Sequence, residues 1–183
     1  MTPLSPFLVL LAAGRPAKVT ARLRQVAPPL ADALDLPLAP PLDPQDPQAA
    51  LAGLAAGADV SLPRLVPLPM DPGHGLPAGG HWAEALGAWR QPVLLVVSAR
   101  QLDSGLPAAT MALLERWQVP CVGLLQWGGR WQAGRRRLDA LPWLGGLQVE
   151  WEQPGTGPWQ ANPADPWTLR QALALRWRQL QAG

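Results

Sequence analysis

Three uninterrupted apolar runs constrain this chain more than anything else in it: Phe7–Leu11 (FLVLL), Val93–Val97 (VLLVV) and Val119–Gln126 (VPCVGLLQ). Short runs with no polar alternation suit strands buried on both faces, the pattern of a parallel sheet. Parallel neighbours need a crossover, usually a helix. The text between the runs supplies two. His81–Trp89 places Trp82, Leu86 and Trp89 on one helical face. Pro107–Trp117 forms a second helix, with Leu106, Met111, Leu113, Leu114 and Trp117 as its apolar positions. Strand, helix, strand at this spacing is a right-handed βαβ unit. The expected fold is a three-layer α/β domain, a mostly parallel sheet flanked by helices.

The remainder fits one domain over residues 1–183. The first run ends at Ala12-Ala13-Gly14, and Ala17–Gln25 then has helical spacing in Val19 and Leu23 until Pro28-Pro29 interrupts it. Residues 36–47 form a proline-rich extended connection. Pro47–Gly57 reads as a short helix and Val60–Leu68 as a strand that Pro63 and Pro67 demote to an edge. Leu138–Leu147 reads as a helix and turn leading to a last strand at Gln148–Glu152, and a polar loop covers about 153–164. The final helix carries the best local signature, with Asp165 as N-cap, Pro166 in the first turn, and Leu169, Leu173, Trp177 and Leu180 at helical spacing.

Hydrophobic residues are 48% and charged residues 15%, which excludes a disordered, self-repelling chain. Cys121 is the sole cysteine, so no internal disulfide forms. The chain lacks isoleucine and tyrosine and has one lysine, Lys18, a bias towards GC-rich codons that also accounts for many of its ten tryptophans and 23 prolines. With a net charge of +2, the sequence pI of about 9.5 records mainly that the cations are arginines, and nucleic acid is not the expected partner. No cation precedes the Phe7–Ala13 run, and the run is too short to span a bilayer, so the expectation is a cytoplasmic protein without a membrane partner.

The order of elements, together with HWAEALGAWRQPVLLVVSA, RWQVPCVGLLQW and LPWLGGLQV, resembles dethiobiotin synthetase and the wider MinD/ParA-like group of P-loop proteins. The likeness covers about the last two-thirds of the chain as a pattern. It implies ATP and Mg²⁺ as cofactors, with the first loop cradling phosphates through its N–H groups. In Ala12-Ala-Gly-Arg-Pro-Ala-Lys-Val-Thr20, Lys18 then stands for the motif lysine, Gly14 for the loop glycine and Thr20 for the Mg²⁺-binding hydroxyl. Gln126 stands where the group places its base-recognising asparagine. Asp59 and Asp71 are the carboxylates for Mg²⁺. The sequence departs from the pattern in keeping only Gly14, in placing Pro16 where an amide donor would stand, and in having Val19 at the hydroxyl position. The implied loop is therefore degenerate.

Other constellations have their own readings. Met70–Gly75 and Gly79–His81 bring Asp71, His74 and His81 into one glycine-rich stretch, either as metal ligands, or with His74 as a general base, or as a flexible loop. Trp127, Trp131 and Arg135–Arg137 combine stacking rings with cations, the ingredients of single-strand nucleic-acid binding, while a solvated loop is the simpler account. Ser104 reads as a helix cap and Cys121 as an inert core thiol. Leu10–Lys18 is also similar to the opening phrase of nucleotidyltransferases, but no acidic metal motif follows. The leading expectation is a P-loop-like domain that weakly binds nucleotide or another phosphate-bearing ligand. The alternatives are a non-catalytic interaction module, homodimeric or bound to a protein partner, and an Arg/Trp nucleic-acid binder.

Overall fold

The computed structural model describes residues 6–57, 63–147 and 166–182. The apolar runs become the centre of a five-stranded, all-parallel sheet: β1 (Phe7–Ala12), β2 (Arg64–Pro67), β3 (Val93–Ser98), β4 (Cys121–Trp127) and β5 (Trp143–Leu147), in the spatial order β2-β1-β3-β4-β5. Every pairing is parallel. Alternate side chains of each strand feed two cores, which is why the runs show no polar alternation. Leu8, Leu10, Leu94 and Val96 pack beneath α1 (Pro16–Leu34) and α6 (Pro166–Ala182). Val9, Leu11, Leu95 and Val97 pack on the other face, under α2 (Pro47–Ala56), α3 (Trp82–Ala88) and α4 (Leu106–Arg116).

Two expectations are corrected. The first helix does not stop at Pro28-Pro29 but runs through both to Leu34. Its lower half buries Val26, Leu30, Ala31 and Leu34 against the sheet, and that burial outweighs the helical hydrogen bonds two prolines remove. The second correction concerns LPWLGGL, which holds strand β5, while the helix lies earlier, at α5 (Ala133–Leu138). Glycine fits there because a side chain at Gly146 would meet the Trp131 ring at 3.0 Å. The expected strand at Gln148–Glu152 and the Asp165 cap lie outside the described residues.

β2 is an edge strand, as its prolines imply. The proline-rich connection runs beside it: Leu38 bridges Leu65 in parallel, Ala39 and Leu42 donate to the carbonyls of Leu65 and Pro67 at 2.9 Å each, and Leu65 donates to Pro37 at 3.0 Å. Among the described residues no helix is long and apolar enough to cross a membrane.

Candidate functional site

In an open parallel sheet of this order, ligands gather outside the carboxyl ends of the strands, where adjacent loops leave towards opposite faces. Here that point lies between β1, whose loop enters α1 on one face, and β3, whose loop enters α4 on the other. The β1–α1 loop is only Ala13-Gly14-Arg15, with Pro16 opening the helix.

Both flanks of this loop are tied to the protein itself. On the β2 side, the Gly14 N–H donates to Asp71 Oδ2 at 2.6 Å, and the other oxygen of Asp71 accepts from the Gly73 N–H at 2.8 Å. On the β3 side, Gln101 Nε2 donates to the Ala13 carbonyl at 2.8 Å, while Gln101 Oε1 accepts from the Ser98 amide at 3.1 Å and hydroxyl at 2.9 Å. Arg22 reaches the same Ala13 carbonyl at 3.2 Å, and burial pulls its guanidinium pKa downward. Gly14 has φ +126°, a backbone state that side-chain-bearing residues rarely adopt. Behind the loop, Ala13, Val96, Gln101, Pro107 and Thr110 enclose a space too small for a water molecule.

The expected phosphate-contacting residues are exposed or have partners within the protein. Lys18 is exposed on the first turn of α1, and its amide donates to Arg15 at 2.9 Å. The Thr20 hydroxyl donates to the Pro69 carbonyl at 3.2 Å. Gln126 is buried at the end of β4 and donates to the Gly128 carbonyl at 2.9 Å, with longer contacts to Gly129 and Arg130. That amide closes its own turn, in which Gly128 and Gly129 have φ +71° and +65°.

The glycine-rich stretch likewise supports structure. Asp71 binds the two amides above. His81 is the N-cap of α3, its Nδ1 accepting from the Glu84 amide at 3.3 Å, and its ring meets Trp117 edge-on at 5.5 Å. His74 is exposed. Among the described residues no three histidine, cysteine or acidic side chains are grouped to hold a metal ion. Asp59 lies outside the described residues.

The arginine triplet falls within α5 and not in a solvated loop. Arg136 is buried, its guanidinium 5.5 Å from the Trp143 ring centre and 3.3 Å from Asp139. Asp139 also accepts from the Trp143 indole at 2.9 Å and the Leu141 amide at 3.1 Å. This knot fixes the α5–β5 corner. Arg135 pairs with Asp103 at 2.8 Å, both exposed. Ser104 is not the expected cap: the N-cap of α4 is Gly105, and the Ser104 hydroxyl donates to the Gln101 carbonyl at 2.7 Å and accepts from the Leu106 amide at 3.3 Å in the turn before it. Cys121 lies beside Met111 (Sγ to Sδ 3.7 Å), and burial pushes its thiol up to about 12, an unreactive sulfur at neutral pH.

Sequence reasoning missed Gln101 and the role of Asp71, because both contacts join residues far apart in the chain. No family model matches this chain, and no curated protein matches it either.

Proposed function

We propose that this chain is a non-catalytic binding module in which the β1–α1 loop is a structural clasp. The supporting observation is the double tie on that loop: the Gly14 amide on the Asp71 carboxylate and the Ala13 carbonyl on the Gln101 amide. A phosphate nest needs several free, converging N–H groups. A three-residue loop whose glycine amide already faces a carboxylate offers an incoming phosphate repulsion in place of a donor.

A second reading is a worn phosphate-ligand site with ATP and Mg²⁺ as its ligands, favoured by the strand–loop–Lys18–helix start on a parallel sheet. Isothermal titration with ATP and ADP, with and without Mg²⁺, separates the two. The clasp reading expects no heat up to millimolar nucleotide and an unaltered Lys18→Ala variant. Saturable heat that Lys18→Ala removes overturns it in favour of the nucleotide site.

A further inference from the structure

An apolar hollow of about 490 Å³ lies between α1 and the proline-rich connection beside β2, and none of the clasp residues Ala13, Gly14, Asp71 and Gln101 lines it. That is the size of a small-molecule site. Its walls are unusually stiff, since Pro28, Pro41, Pro44, Pro67 and Pro69 all contribute to them. Proline has no side-chain rotamer freedom to lose, so the groove is formed before any ligand arrives and costs little to order. Its rim leaves apolar surface in water, with Leu38 42% exposed.

The polar groups are few and of one character. Arg24 is the cation at the groove, and the described residues that line it include no acid. The Thr20 hydroxyl is engaged by the Pro69 carbonyl at 3.2 Å, which leaves Arg24 as the charged recognition group of the groove. An occupant therefore needs a flat apolar body to lie on the proline rings, whose C–H edges complement the negative face of an aromatic ring. It also needs an anionic end for Arg24.

We propose that this groove binds a small aromatic monoanion, an aryl carboxylate of one or two rings. The site is independent of the β1–α1 loop, and its success or failure leaves the clasp reading untouched. The probe is 2-naphthoate, titrated by calorimetry against the full chain, with 2-naphthylmethanol as its neutral counterpart. Saturable one-to-one binding is expected, weakened about tenfold in the Arg24→Gln variant and for the neutral probe. Leu38 is exposed enough to carry a charge without unfolding the chain. Leu38→Glu therefore weakens naphthoate binding and Leu38→Lys strengthens it, each in a sample whose circular dichroism matches the parent. Absence of binding overturns the site. Binding that ignores both Leu38 charges places the probe elsewhere and overturns it too. Equal affinity for the neutral probe overturns the anionic assignment.

Discussion

At the scale of single residues, Asp71 is the side chain on which the sheet's carboxyl edge depends. Its two oxygens accept separate amides, from Gly14 and Gly73, so both are used by the fold. Asp71→Asn keeps the size but turns one acceptor into a donor, which then faces an N–H. The expected loss is about 1–3 kcal/mol, the cost of leaving a partly buried amide unpaired, read as a lower urea midpoint with an unchanged m-value. An unchanged midpoint means the carboxylate is not holding the loop. None of this is visible in the sequence, where Gly14 and Asp71 stand 57 positions apart and Ala13 and Gln101 88 apart. Sequence spacing exposes chemistry along one helix or turn. Asp71 reads as a metal candidate because its partner is a backbone amide, which carries no residue signature.

At the scale of elements, the text predicts buried strands well and helix ends poorly. β1 and β3 are legible because burial on both faces forbids polar side chains along them. α1 is not, because a rule about proline is a local rule, and Leu30 and Leu34 below the prolines gain more from the sheet than the helix loses. β5 is hidden by its glycines, which read as turn residues until Trp131 is seen lying over Gly146. The price α1 carries is measurable. Pro28→Ala restores the N–H facing the Arg24 carbonyl, and this variant should be more stable by about 1–3 kcal/mol, observed as a higher thermal midpoint. A lower midpoint would show that the proline ring's own packing matters more than the missing bond.

At the scale of the whole molecule, the composition gives an unusually clean alkaline window. The chain has no tyrosine and a single lysine, so Cys121 dominates the side-chain titration between the ordinary thiol range and its folded value. Folded, the thiol holds its proton up to about 12; unfolded, it releases it near 9. The unfolded state therefore binds fewer protons across that window, and stability falls as pH rises through it, by at most about 1.4 kcal/mol per unit. Below the unfolded value the contribution is fully present and flat. Cys121→Ser, which cannot ionise in this range, should show a shallower decline in urea unfolding between pH 9 and 11. Equal slopes for both proteins would place the thiol in contact with bulk water.

The strap of prolines along β2 also governs how this molecule meets others. Its hydrogen bonds occupy the outward-facing groups of Leu65 and Pro67, and prolines at 37, 40 and 41 offer no N–H to a newcomer. A foreign strand arriving on that flank finds few donors to pair with, so strand-by-strand growth into fibrils is disfavoured there, and a larger complex formed on that side leans more on side chains.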